Sequence, residues 1–260
     1  MTYSDLENKT IVVTGSNRGI GKRLCESFLK NHCTVVALYR KNKPTFNLSK
    51  EEEERIIYLK CDITERQPIA SWLENFENQG KHVDILINNA AVNLRKALIE
   101  CDENDWDYIM NTNLKAVFFL SQLFARHLKK QSSGVIINAI SFGAHIPSAN
   151  FGLYSSSKLA LKMLTKCMAA EWAPYGIRVN GFSPGVIPTE MTEPTIIKKK
   201  AELIRGVSMQ RFGDIQEVAN AVLFLASESS SYITGIDLDI SGGKFLLQDP
   251  QSPWQENKRR

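Results

Sequence analysis

Long apolar runs are missing from this chain. None approaches the roughly 18 residues needed to cross a bilayer, so no transmembrane helix and no membrane partner are expected. The opening MTYSDLENK is polar, which predicts no secretory signal. Cysteines are few and scattered, at 25, 33, 61, 101 and 167, with no C-x-x-C spacing. That argues against a disulfide framework and against a metal site, and it favours a reducing, cytoplasmic compartment. No basic stripe with interleaved aromatics is present, and the net charge is only +4, so no nucleic-acid partner is expected. Internal repeats and low-complexity segments are absent too. What is present is ordinary: 260 residues, 43% hydrophobic and 23% charged, enough for one large α/β domain with a sizeable core.

The chain is organised around residues 141–158. Val135–Ile140 is an apolar run of the kind that forms a buried strand, and Ser141 stands at its carboxyl end. A helical pattern starts near Tyr154, which puts Tyr154 and Lys158 one turn apart on one face. A Ser hydroxyl, a Tyr hydroxyl and a Lys ammonium are thus placed to converge where open α/β sheets form their ligand crevice. An ammonium near a phenol lowers the phenol's pKa. Moving a tyrosine from ~10 to near 7 takes about 4 kcal/mol at ~1.36 per unit. The expectation is a general acid/base suited to neutral pH. A Y-x-x-x-K pair is common on helices, so the rest of the chain has to carry the reading.

Ile11-Val12-Val13 is a short β-branched run, followed by Thr14-Gly15-Ser16-Asn17-Arg18-Gly19-Ile20-Gly21 and then a helical pattern. Strand, glycine turn and helix together place a diphosphate over a helix N-terminus. Thr34–Tyr39 reads as the second strand and ends in Arg40-Lys41, with no acid. An acid there would bind a ribose 2′-hydroxyl, whereas a guanidinium suits a 2′-phosphate. Arg18 and Arg40 therefore favour NADP over NAD, unless both are solvated surface residues.

Ile56–Leu59 is a third strand, followed by Cys61-Asp62-Ile63. Asp62 either accepts from an adenine amino group or caps the helix over about 65–78. Val83–Ile87 is a fourth strand, ending in Asn88-Asn89-Ala90-Ala91, whose amides tie neighbouring strands and contact a cofactor. A long helix over about 105–130 carries Asn113 near its middle, where asparagine is a poor helix former and needs a partner. Ile177–Phe182 is a sixth strand, followed by a turn from Ser183 through Pro184, Gly185 and Ile187 to Thr189. The charged segment 190–206 is a lid candidate, and Ile236–Ile240 is a last strand. Strands alternate with helices about seven times, which predicts a doubly wound parallel sheet of the Rossmann type with helices on both faces. The domain is expected over 1–247, with a polar tail over 248–260 that is disordered or loosely docked. Trp254 in that tail is expected to make a packing contact, with another subunit as one candidate partner.

Read jointly, residues 8–243 resemble the short-chain dehydrogenase/reductase family. Thr14–Gly21 matches its T-G-x-x-x-G-x-G loop, Pro184-Gly185 its P-G turn, and Asp62 its adenine-contacting acid. Asn113, Ser141, Tyr154 and Lys158 match its catalytic set. The C-terminal part is similar to 3-oxoacyl-carrier-protein reductases, a likeness shared with reductases of other ketones and with sugar dehydrogenases. The family usually has N-N-A-G where this chain ends in Ala91. A β-like backbone there would tolerate the methyl, whereas a positive φ would not.

The resemblance implies NADP(H) as cofactor, held by Gly15, Ser16, Asn17, Arg18, Gly19, Ile20, Arg40, Asp62, Ile63, Asn89, Ala90, Ala91, Pro184, Gly185, Ile187 and Thr189 together with Tyr154 and Lys158. It further implies proton donation from Tyr154 and oxyanion stabilisation by Ser141. Lys158 would hold the nicotinamide ribose and lower the Tyr154 pKa, and Asn113 would anchor a relay water. The substrate is expected to be a small carbonyl compound or a carrier-bound acyl group, in a pocket built from His145, Ile146, Phe151 and the lid. A homotetramer or homodimer is expected through the two long helices. Oxidation of an alcohol or sugar is the alternative, and a nucleotide-binding regulator without turnover is a third reading.

Overall fold

Strands covered on both faces are apolar throughout, and the Val/Ile/Leu runs here behave that way. The computed structural model describes residues 2–257. Its strands are β1 (Thr10–Thr14), β2 (Thr34–Tyr39), β3 (Ile56–Lys60), β4 (Ile85–Asn88), β5 (Gly134–Ala139), β6 (Ile177–Pro184) and β7 (Asp237–Ile240). They form one sheet in the order β3-β2-β1-β4-β5-β6-β7, and every pairing is parallel. The chain winds outward one way from β1 and the other way from β4. The switch point between them is where such sheets open a crevice at the strands' carboxyl ends.

Alternate residues of one strand feed opposite faces. Ile11 and Val13 join a cluster with Leu24 and Phe28 of α1 (Gly19–Leu29) and Val218 and Val222 of α8 (Ile215–Ala226). Val12 joins the other cluster, with Ile69 and Leu73 of α3 (Arg66–Asn78) and Leu120 and Phe124 of α5 (Val117–Gln131). Helices therefore cover both faces, as the alternation of elements predicts. A short α2 (Lys50–Glu54) lies between β2 and β3, and its charged residues are largely exposed.

The expected long helix runs as α4 (Glu103–Met110), a π turn over Asn111–Ala116, and α5. The widening falls on the asparagine that the helix would otherwise disfavour. Lid residues form α7 (Glu193–Arg205), kinked at Lys199. Of the two states expected for the tail, its described part takes the docked one. It forms α9 (Ser252–Asn257) and docks on its own chain, with Trp254 Nε1 donating to Ser208 O at 2.8 Å just past α7. Residues 258–260 of the tail lie outside the described residues. Among the described residues no helix is long and apolar enough to cross a membrane, and none of the five cysteines is paired.

Candidate active site

The glycine turn after β1 is built by close approach. Gly15 has a φ of 67°, and a Cβ there would lie 2.8 Å from Ala90 Cα. A Cβ on Gly21 would lie 2.1 Å from Gly15 O, so only glycine lets α1 start this close to the turn. Thr14 Oγ1 accepts from Asn89 N and Ala90 N, both at 3.0 Å, and Asn89 Nδ2 donates back to Thr14 O at 3.0 Å. The β1 and β4 turns are thereby locked together. Ala91 has no positive φ, so its methyl is unstrained. Arg18 caps α1 without a side-chain hydrogen bond, and no acid lies in the first turn. The first amides of the helix therefore meet the cleft at Gly19 and Ile20 with their donors uncapped. That end of the cleft fits a diphosphate.

Ser16 corrects the sequence reading. It is fully buried and its hydroxyl donates to Leu38 O at 3.0 Å, so it ties the turn to β2 and does not line the cleft. Asn17, Arg18, Arg40, Lys41 and Ile63 do line it. Arg40 Nη1 pairs with Asp62 Oδ2 at 3.5 Å, while Asp62 Oδ1 accepts from Thr64 N at 3.0 Å and Thr64 Oγ1 at 2.8 Å. Burial alone would raise the Asp62 carboxyl, but the bonds from Thr64 and Arg40 outweigh it and hold the group below its ordinary range. Asp62 does not cap α3. The cap residue there is Glu65, without a side-chain bond.

At the other end, α6 (Gly152–Trp172) carries Tyr154 and Lys158 beside the loop after β5. A methyl placed on Gly143 would lie 3.4 Å from Ser155 Oγ, 3.5 Å from Ser141 Oγ and 3.6 Å from Tyr154 Cε1. These three groups therefore surround one point, and all three line the cleft with Lys158. Ser141 Oγ accepts from Gly143 N at 3.1 Å, which leaves its proton free to donate, and it is hydrogen-bonded to Tyr154. Ser155 Oγ is buried with no partner, a donor signal that its place in the S-S-S run does not reveal.

The expected lowering of the Tyr154 pKa is not what the structure gives. Burial raises it, and the bond from Ser141 offsets this only in part. The physical reason is where the amine points. Lys158 Nζ donates to Ala139 O at 2.6 Å and lies 5.9 Å from the Tyr154 ring centroid. Lys158 itself is 1% exposed, and burial lowers its pKa from 10.5 to about 8.

Asn113 is fully buried behind the cleft wall. Its Oδ1 accepts from Val92 N at 2.9 Å, and its Nδ2 donates to Val92 O at 2.9 Å and Ser157 Oγ at 3.3 Å. Of the remaining predicted residues, Asn89, Ala90, Ala91, Pro184, Gly185, Ile187 and Thr189 line the cleft. Ile146, Phe151 and lid residues such as Thr195 do so as well, but His145 does not. Its Nε2 lies 2.9 Å from Asp237 Oδ2, with Lys162 completing the cluster behind the loop. Arg95 and Lys244 line the cleft without having been singled out, because a lone basic residue on a loop carries no spacing signal. The cleft measures about 970 Å³, at the top of the range of about 300–1,000 Å³ for ligand pockets.

Residues 9–200 match a family model described as short chain dehydrogenase. The chain is 35% identical over 239 residues to a 3-oxoacyl-[acyl-carrier-protein] reductase of Buchnera aphidicola, covering 92% of this chain and 98% of that protein. To the gluconate 5-dehydrogenase of Gluconobacter oxydans it is 32% identical, covering 94% and 98%. A crystal structure of a gluconate 5-dehydrogenase from Burkholderia cenocepacia, in complex with NADP and tartrate, superposes with a TM-score of 0.84 at 29% identity, covering 94% and 98%. With the doubly wound sheet, the glycine turn and the cleft that joins Ser141, Tyr154 and Lys158, these matches show an oxidoreductase, and the chain belongs to the short-chain dehydrogenase/reductase family.

Proposed function

We propose that this chain is an NADPH-dependent reductase that converts a ketone to an alcohol, with Tyr154 as general acid. The observation that carries the reading is the convergence of Ser141 Oγ and Tyr154 around one point of the cleft, with a buried ammonium one helical turn away. Arg18 and Arg40 at the far end support a 2′-phosphate, with Asp62 holding Arg40 in place. A reduced nicotinamide, when bound, supplies hydride.

The side chains account for the rest. Burial keeps Tyr154 protonated, as a donor must be, and its Oη gives that proton to the substrate oxygen. Ser141 donates to the same oxygen and stabilises its developing charge. Lys158, buried and partly committed to Ala139 O, holds the ribose hydroxyls of the cofactor with its remaining donors. Asn113 has both ends of its amide engaged, so a relay water at this residue is held by its main chain. Ile187 and Thr189 orient the carboxamide.

The names of the relatives support carrier-bound 3-oxoacyl groups or keto-sugar acids as substrates. The gluconate dehydrogenases also favour an oxidative direction as the second reading. Leu159 and Met163 on α6, 55% and 60% exposed, support packing against another copy and thus a homodimer or homotetramer. Five unpaired thiols support a reducing, cytoplasmic setting.

The test is NADPH oxidation against a panel of ketones, 3-oxoacyl thioesters and keto-sugars. Tyr154→Phe should remove nearly all turnover while cofactor affinity stays within about twofold. Substantial activity in that variant would refute the assignment.

A further inference from the structure

Lys244 is a half-buried cation on the cleft wall that the proposed chemistry does not use. Its Nζ lies 5.3 Å from the ring centroid of Phe142 and 5.7 Å from that of Phe245. Phe142 follows Ser141 directly, so the ammonium stands at the substrate end, away from Arg18 and Arg40. Among the described residues no carboxylate pairs with it. Two other lysines of intermediate exposure differ. Lys96 meets Asp105, and Lys162 meets Asp237 at 3.3 Å. Two aromatic faces attract an ammonium but do not supply the opposite charge that a carboxylate would. Burial accordingly lowers the Lys244 pKa.

The backbone holds this lysine in place. Lys244 makes an antiparallel bridge with Val207, just past the lid helix, and Phe245 N donates to Gly206 O at 2.8 Å. Phe245 adopts a φ of 50°, a left-handed conformation that is strained for a bulky side chain. Strain of this kind persists where the surrounding structure over-determines it, and it clusters at ligand sites. Here it places one ring under the ammonium.

We propose that Lys244 is a subsite for an anionic group of the substrate, a carboxylate or a phosphate, which enters the cleft as the missing partner of the ammonium. This rests on the reading of the cleft as a carbonyl-reducing site. Arg95, over Phe151 at 5.5 Å, is another cation of the wall with no ion pair among the described residues. It is exposed, so solvent screens it and it discriminates less.

The probes are acetoacetate and its neutral methyl ester, with acetoacetyl-pantetheine and its phosphorylated form as the pair that tests the phosphate source. Binding is measured by calorimetry on the full chain saturated with NADP, so no turnover is needed. The wild type should bind at least one anionic probe more tightly than its neutral counterpart. Lys244→Met, which keeps the stem, should reduce that ratio about tenfold to a hundredfold, as loss of a charge-assisted hydrogen bond does. Lys244→Arg should retain most of it. The carboxylate pair and the phosphate pair show separately which anion the site takes. An equal affinity for charged and neutral probes in both pairs overturns the proposal. So does a ratio that survives in Lys244→Met or is lost in Arg95→Gln instead. Failure to oxidise NADPH with any ketone, neutral ones included, would refute the proposed function and leaves this binding result to be judged by itself.

Discussion

Lys158→Met should make the protein more stable while abolishing turnover. The ammonium is 1% exposed, and among the described residues its one hydrogen bond runs to Ala139 O at 2.6 Å. Burial lowers its pKa from 10.5 to about 8, which corresponds to about 3 kcal/mol against the charged form at ~1.36 per unit. At pH 7 the folded protein still carries the proton and bears that cost in full. Methionine fills the stem's volume and has no charge to desolvate, but it forfeits a charge-assisted hydrogen bond of about 2 kcal/mol. The net is about 1 kcal/mol in favour of the variant. In a chain of this length that raises the melting temperature by about 2–4 °C.

The pH dependence follows from the same shift. The folded pKa lies below the unfolded one, so between pH 8 and 10.5 the unfolded chain binds more protons, and wild-type stability rises with pH across that window. The variant has no such gain, and its advantage shrinks toward pH 10.5. Calorimetric melts of both proteins without added nucleotide, at about pH 7, 8.5 and 10, test this. A variant that melts below wild type at pH 7, or a gap that widens with pH, would sink the argument.

Other expectations follow from the same geometry. Asn113→Ala in the π turn leaves N and O of Val92, in the loop after β4, without those partners, and should lower stability by about 2–3 kcal/mol in urea melts; an unchanged midpoint would show that the loop holds itself. Replacing both Arg18 and Arg40 by alanine should cut the NADPH-over-NADH preference in kcat/KM by about a hundredfold, at tenfold or more per guanidinium. A preference that survives the double change would place the 2′-phosphate elsewhere.

Local spacing carried much of this molecule. The glycine turn, the Tyr154–Lys158 pair and the β-branched strands are visible because each depends on neighbours within a few positions. Runs that alternate between strand and helix determine a doubly wound sheet, since parallel neighbours need a crossover and a covered face on each side.

Tertiary structure decided the rest, through partners far along the chain. Asp237, 92 residues away, captures His145 and removes it from the pocket. Leu38 engages Ser16, and Asp62 engages Arg40. The sequence by itself determined which groups would meet at the ends of the strands. Only the fold decided that the Lys158 amine faces a backbone carbonyl, that the Tyr154 pKa is raised where the pattern implied it would be lowered, and that Lys244 stands on the cleft wall with no ion pair among the described residues. Ionisation depends on burial and on charges at a few ångströms, and the linear order of residues encodes neither.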